Sequence, residues 1–290
     1  MNKNSLTDNI EIIIPAYNEE ATIASLIQEI RKTIGDLPRI VVVDDASLDK
    51  TSEVAKAHGA QVIQHPYRIG NGACVKTGLR QATRDIVVLM DGDGQHRPQD
   101  IPGLLSGIGT FDMVIGARDF RLFSLRNYAN RIYSGFACYI TRFRIQDLTS
   151  GFRAVKRAVA LKYIYLLPNG FSYPTTLTLA FLKSGRTLAH VPILSGKRRA
   201  GTSKIHVARD GVRFFLIIVK VATFFSPLRV FLPVSVVFFF MGLAYYLYTF
   251  TFSHRFTNMS ALLFTTALII FMLGLVSEQI SQLRMDRTEE

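Results

Sequence analysis

Asp91 and Asp93 flank Gly92 directly after the apolar run Ile86–Met90. Two carboxylates at that spacing can grip a divalent cation together with phosphate oxygens. Mg2+ favours such an arrangement, a few carboxylates plus phosphate and water, over a full protein cage. An Asp-x-Asp pair alone is a weak signal, because such pairs also stand in solvated turns. Here the pair continues into Gln95-His96, and two further polar clusters accompany it. Pro15-Ala-Tyr-Asn-Glu19 follows the first strand-like run, and Asp44-Asp-Ala-Ser-Leu-Asp49 follows the second. Ligands of open parallel sheets bind beyond the carboxyl ends of the strands, so three clusters far apart in sequence are expected at one rim.

The elements that must hold this rim are legible as alternating patterns. Ile10–Ile14, Ile40–Asp44, Gln61–Gln64, Ile86–Met90 and Met113–Ile115 read as strands, with apolar and β-branched residues prominent. Glu20–Ile34, Asp49–His58, Gly72–Thr83 and Pro98–Ser106 carry helical periodicity or helix-start signals. Strands alternating with helices predict an α/β fold with a mostly parallel sheet covered on both faces. Gly70 and Gly72 read as positions of tight backbone rather than a phosphate cradle, since no Gly-Lys-Ser/Thr follows.

The last third has a different character. Val230–Ser253 and Phe256–Ser277 are long apolar runs, free of Asp, Glu, Lys and Arg. Each reaches the roughly 20 residues a helix needs to cross a hydrocarbon layer about 30 Å thick. The expected spans are 230–253 and 257–277, joined as a hairpin within 229–283, with a tail over 284–290. Arg229, Arg284 and Arg287 flank the outer ends, while the connection offers only His254 and Arg255. The positive-inside rule then places both termini and the domain over 1–206 in the cytoplasm. The polar start, Met1–Asn9, does not read as a secretory signal. In a reducing compartment Cys74 and Cys138 are expected as packing residues rather than a disulfide, and neither has His or Cys at ligand spacing in the sequence.

The chain carries a net charge of +12. Arg118–Arg157 holds nine Arg/Lys against Asp119 and Asp147, a net +7; Lys197–Arg229 holds eight against Asp210, again +7. The second block abuts the apolar runs, which points to anionic lipid head groups or a phosphorylated lipid rather than nucleic acid. Within 207–228, Arg209, Arg213 and Lys220 fall within roughly 40° of one another at helical spacing. A narrow basic strip on an apolar helix predicts a helix lying in the membrane interface.

Several motifs together resemble family 2 glycosyltransferases, and within them the dolichyl-phosphate mannose synthase and polyprenyl-phosphate glycosyltransferase branch. They are Ile13-Ile-Pro-Ala-Tyr-Asn-Glu-Glu20, Val43-Asp-Asp-Ala-Ser-Leu-Asp-Lys-Thr51, Gly70-Asn-Gly-Ala73, Met90-Asp-Gly-Asp-Gly-Gln-His96, Leu148-Thr-Ser-Gly-Phe-Arg153 and Arg198-Arg-Ala-Gly-Thr-Ser-Lys204. The resemblance implies a GT-A fold, an inverting transfer from a nucleotide-sugar to a polyprenyl phosphate, and a Mg2+ or Mn2+ requirement. It also implies roles. Pro15, Tyr17, Glu19 and Asp44 hold the nucleoside, and Asp91, Asp93 and Gln95 hold the metal and donor diphosphate. Arg198 and Lys204 neutralise the diphosphate, while Arg118, Arg131 and Ser134 receive the lipid phosphate. Asp147 is read either as a general base or as a partner of Arg153. Two departures bear on sugar choice: Asn71 where relatives often carry Lys, and Arg97-Pro-Gln99 in place of Pro-Pro-Glu.

Two other readings share these features. A processive polysaccharide synthase uses the same fold and metal motif, but with a Gln-x-x-Arg-Trp acceptor motif, and this chain has no tryptophan. A catalytically inactive nucleotide-sugar sensor would not need Asp91, Asp93, Arg198 and Lys204 intact. The sugar, the nucleotide base, the prenol length and any homo-oligomerisation are left open by the sequence.

Overall fold

The β-branched runs form five strands of a seven-stranded sheet. A computed structural model of the chain describes residues 9–118, 135, 138, 139, 141–170, 172–194, 219 and 222–289. It divides into two units, Met1–Ile205 and His206–Glu290. In the first unit β1 (Ile10–Ala16), β2 (Arg39–Asp44), β3 (Gln61–Gln64) and β4 (Ile86–Leu89) run parallel. Beyond β4 comes β6 (Arg153–Lys156), antiparallel to β4 and to β5 (Met113–Arg118), and then β7 (Leu188–Ile193), parallel to β5. The spatial order is β3-β2-β1-β4-β6-β5-β7. The five expected strands are all present; β6 and β7 are additional. Pro192, which lacks an amide donor, is tolerated because β7 is an edge strand.

Every residue of β1 is buried, as a central strand covered on both faces requires. Helix α1 (Glu20–Ile34) buries Ile23, Leu26, Ile27 and Ile30, an i, i+3, i+4, i+7 stripe joined to Ile12, Ile14 and Val42 in one core. Helices α2 (Thr51–Ala57), α3 (Asn71–Gln81), α4 (Ile101–Ile108), α5 (Arg157–Lys162) and α6 (Tyr173–Lys183) complete the layers. Helix α3 lies unusually close to β1, because Gly78 has no Cβ: one added there would meet Ile13 Cγ2 at 2.4 Å.

The second unit contains α7 (Pro227–Ser253) and α8 (Asn258–Glu289). Pro227–Phe252 and Asn258–Arg284 are long and apolar enough to cross a membrane, and little of either is buried within the molecule. Phe240, Leu247, Leu268 and Ile269 are among the large apolar side chains left exposed, the pattern of helices whose solvent is lipid. Small residues set their mutual approach: Gly242 faces Leu263 and Phe264, Gly274 faces Phe231 and Leu228, and Ser235 Oγ donates to the Ala267 carbonyl at 2.8 Å. Glu278 Oε2 accepts the Leu228 amide at 3.0 Å, satisfying one of the orphan donors at the start of α7. Helix α8 continues past the apolar run, through residues that favour helix. Of the interfacial helix expected over 207–228, residues 207–218, 220 and 221 lie outside the described residues, and Ala222–Phe225 are helical.

Candidate active site

The parallel ladders bring the polar clusters to one rim. Ala16 pairs with Asp44 at the ends of β1 and β2, and Ile13 pairs with Leu89 just before Asp91. Cross-links then fix the loops. The Asp45 amide donates to the Ala16 carbonyl at 2.9 Å, and Thr22 Oγ1 at the start of α1 donates to the Gly92 carbonyl at 2.9 Å. Asp93 Oδ1 accepts the Gln95 amide at 3.1 Å, closing a turn in which Gly94 has φ of 70°.

Around Asp91 the chain leaves polar atoms without partners. Gln95, Asp91 and Asp93 are half-buried and reachable. His96 lies under them, stacked on Phe152 with ring centroids 5.0 Å apart and planes at 16°. Its Nδ1 is buried without a hydrogen-bond partner, 3.9 Å from Asp91 Oδ2. Burial pushes the imidazole down from its ordinary range, against the opposing pull of Asp91 and Asp93, so the ring is held neutral. Asn71 Nδ2 approaches Asp91 Oδ1 at 3.4 Å, and its Oδ1 is a second buried polar atom with no partner. Gly151 leaves room here, since a Cβ at that position would meet Asp91 Oδ2 at 2.9 Å and the Tyr173 hydroxyl at 3.1 Å. Two carboxylates, the Gln95 side chain and the unpartnered Asn71 oxygen fit a hard divalent cation.

Arg118, at the end of β5, is locked to Asp147. Its Nε donates to Asp147 Oδ2 at 2.7 Å, and its Nη2 to Asp147 Oδ1 at 3.1 Å and Thr149 Oγ1 at 2.8 Å. This is a fork-to-fork pair with the carboxylate 1% exposed. Burial alone would raise the Asp147 carboxyl; the Arg118 charge and hydrogen bonds, with the Arg118 and Thr149 amides, overcome it and hold the group below its usual range. The pairing of Asp147 with Arg153, considered from sequence, is therefore corrected. Arg153 is fully buried on β6 and instead donates to the Ser150 and Pro174 carbonyls and to Thr178 Oγ1. Burial lowers its guanidinium to about 10, still charged at neutral pH.

Asp45, His65 and Cys74 each place a ligand-type atom within 4.8 Å of the others, all three buried. No sequence spacing signals this group; the fold assembles it, bringing His65 Nδ1 to 3.8 Å from Cys74 Sγ. Its hydrogen bonds are those of a brace. Asp45 Oδ1 accepts the Ile69 amide and Oδ2 the Gly70 amide, at 2.9 and 2.8 Å. His65 bridges Asp45 Oδ1 and Thr77 Oγ1, each at 2.9 Å. Burial and the Asp45 charge raise the Cys74 thiol far above its ordinary range, so it stays protonated. The brace pins the turn at Gly70, whose φ of 125° only glycine adopts readily, and so aims Asn71 at Asp91. The neighbouring Gly72 sits against the Pro168 and Gly170 carbonyls, 2.1 and 2.7 Å from where a Cβ would stand. Gly72→Ala is expected to cost about 1–3 kcal/mol or more, read as a lower denaturation midpoint at unchanged m-value.

Other predicted residues are placed as follows. Pro15 belongs to β1 and its carbonyl faces Gly92. Tyr17 lies beneath Arg68, whose Cζ is 4.1 Å from the ring centroid. Glu19 precedes α1, and its amide donates to Thr51 Oγ1 at 2.8 Å. Asp44 is 1% exposed, with Oδ1 on Ser47 and Oδ2 on Ser52 Oγ, so it orders the loop after β2. Arg131, Ser134, Arg198 and Lys204 lie outside the described residues. Sequence reasoning missed His96, Arg68 and the Asp45–His65 brace as parts of the rim. The Gln95-His96 step was the one signal available for the first; the others depend on contacts distant in sequence.

The sequence matches the family model described as Glycosyl transferase family 2 over residues 11–164, and that described as GtrB C-terminal hairpin over residues 226–283. An undecaprenyl-phosphate mannosyltransferase of Micrococcus luteus is 29% identical, over 67% of this chain and 86% of the relative. A dolichol-phosphate mannosyltransferase of Pyrococcus furiosus is 31% identical, over 68% and 59% respectively. The glycosyltransferase AglJ of Haloferax volcanii is 29% identical over 98% of each chain. Among solved structures, glucosyl-3-phosphoglycerate synthase of Mycobacterium tuberculosis, in complex with Mn2+ and UDP-glucose, has a TM-score of 0.60 at 23% identity, covering 76% of this chain and 81% of that one. That likeness establishes the shared fold.

Proposed function

The chain belongs to glycosyl transferase family 2, and on that footing we propose that it transfers a hexose from a UDP- or GDP-linked donor to a polyprenyl phosphate, dolichyl or undecaprenyl, with inversion at the anomeric carbon. One observation carries the reading. A rim of carboxylates suited to a diphosphate and cation stands in a chain that also holds two helices apolar enough to cross a membrane. A soluble acceptor would give those helices no role, whereas a prenyl lipid lies in the bilayer beside them. The names of the relatives from Micrococcus and Pyrococcus support the same acceptor class.

In this mechanism Asp91, Asp93 and Gln95 would hold Mg2+ or Mn2+, with Asn71 and His96 bordering them. A cation held there would supply Lewis-acid stabilisation of charge on the diphosphate. Tyr17, Glu19 and the loop ordered by Asp44 take the nucleoside, and Arg198 and Lys204 neutralise the diphosphate. Arg118, its guanidinium plane fixed by Asp147 and Thr149, joins Arg131 and Ser134 in orienting the acceptor phosphate. No general base is needed, because a phosphomonoester with a second pKa near 6 is largely dianionic at neutral pH. Asp147 suits orientation better than proton transfer, since Arg118 holds its carboxylate firmly ionised. Positioning and charge neutralisation then supply the catalysis.

The domain over 1–206 lies on the cytoplasmic side in this reading, with the interfacial helix over 207–228 and the hairpin over 229–283 anchoring it. Incubating the purified full chain with a panel of UDP- and GDP-sugars tests the proposal. One donor is expected to release nucleoside diphosphate only when both polyprenyl phosphate and a divalent cation are present. Release that is indifferent to the polyprenyl phosphate would point to another acceptor.

A further inference from the structure

The two carboxylates of the rim are held differently. Asp93 Oδ1 accepts the Gln95 amide at 3.1 Å and is tied to its own turn. Around Asp91 the described donors stand further off: Asn71 Nδ2 is 3.4 Å from Oδ1, and His96 Nδ1 is 3.9 Å from Oδ2. A well-formed N–H···O bond is about 2.7–3.2 Å long, so the first contact is weak and the second is not yet a bond.

His96 is nevertheless built to meet that carboxylate. The residue is 6% exposed, and its ring lies on Phe152 with centroids 5.0 Å apart and planes at 16°. Phe152 is anchored in turn by β5. Its carbonyl accepts the Gly116 amide at 2.9 Å, and its Cδ1 would stand 3.1 Å from a Cβ at Gly116. An imidazole fixed in that plane turns Nδ1 toward Asp91 Oδ2, and this nitrogen is buried with no hydrogen-bond partner. A neutral imidazole carries one N–H. With the proton on Nε2, the Nδ1 lone pair would oppose the carboxylate, and the low local dielectric would magnify the repulsion. With the proton on Nδ1, a donor faces it instead. The Asp91 side chain is 32% exposed and has room to turn onto that donor.

We infer that His96 is a positioning residue for Asp91: it donates from Nδ1 to Asp91 Oδ2 and so fixes the carboxylate's orientation toward a divalent cation. Hydrogen bonds of this kind are often long before a ligand arrives and tighten with it. Partners behind a metal-ligating side chain set its direction and basicity. The inference rests on the reading that Asp91 would hold a cation, and it adds a residue whose task is carried out through Asp91.

Two substitutions separate the donor from the ring. His96→Phe keeps a ring on Phe152 and removes the donor; His96→Asn keeps an N–H near the place of Nδ1 and removes the ring. Mn2+ is titrated into the purified full chain without nucleotide, and free Mn2+ is read from its electron paramagnetic resonance signal. His96→Phe is expected to weaken Mn2+ binding about 10–100-fold, the usual loss when a metal ligand's hydrogen-bond partner is removed. His96→Asn is expected to stay close to wild type. A residue that served only by stacking would give the opposite order. Thermal unfolding tells whether each variant is folded. Nitrogen-15 spectra of histidine-labelled wild type read the tautomer directly, His96 being the resonance that either variant lacks, and a protonated Nδ1 is expected. Wild-type Mn2+ affinity in His96→Phe, an equal or greater loss in His96→Asn, or a proton on Nε2 overturns the inference and leaves the cation reading of Asp91 standing. Wild type that binds no Mn2+ overturns both.

Discussion

Asp93→Asn is expected to lower sugar transfer by about 10²–10³-fold while the protein unfolds at nearly the wild-type temperature. The asymmetry follows from what the side chain does. Its structural duty is to accept the Gln95 amide at 3.1 Å, and an asparagine carbonyl oxygen can do the same. Its chemical duty in the proposed mechanism is to present negative charge beside Asp91, and the substitution removes that charge. The expected magnitude is that of removing one preorganised electrostatic group from a transition state. Measured as kcat with the metal titrated, the deficit should be only partly recovered at high metal concentration. Wild-type turnover by the variant would remove Asp93 from the mechanism.

Asp147→Ala has the largest expected effect on stability. Arg118 and Asp147 are 17% and 1% exposed at the side chain, and removing the carboxylate that Arg118 grips with two hydrogen bonds breaks a buried pair, at a cost of about 3–5 kcal/mol. Chemical denaturation reads this directly. The double variant Arg118→Met/Asp147→Leu should recover a substantial part of the loss, since it buries no charge; failure to recover would mean that the loop around Thr149 needs the carboxylate for its own amides. The pH dependence has a definite sign. The Asp147 carboxyl is held below its ordinary value in the fold, so its contribution is fully present above the unfolded pKa of about 3.9 and is lost as pH falls through the lower folded value. Wild type should therefore lose stability in acid more steeply than the double variant.

The strands and helices that build the first half were legible because each obeys its own period. Ile10–Ile14 and Ile40–Asp44 are continuous apolar runs, as buried parallel strands must be. The rim was legible too, because its clusters each follow such a run. What escaped was what only the fold brings together. β6 is four residues that begin with a fully buried arginine, and β7 contains a proline, so neither advertises a strand. The Arg118–Asp147 pair spans 29 residues and the Asp45–His65 brace 20, with no local pattern to link them. Asp44, which the resemblance assigns to the nucleoside, also orders its own loop by accepting from the hydroxyls of Ser47 and Ser52, a duty that no local pattern announces.

The most direct test of the account is transfer of radiolabelled sugar from the active nucleotide-sugar into organic-extractable product, comparing polyprenyl phosphate with the free polyprenol of the same length. The account predicts label in lipid with the phosphate and none with the alcohol, because the acceptor phosphate is itself the nucleophile. Label appearing on the free alcohol, or only in a water-soluble product, would contradict it.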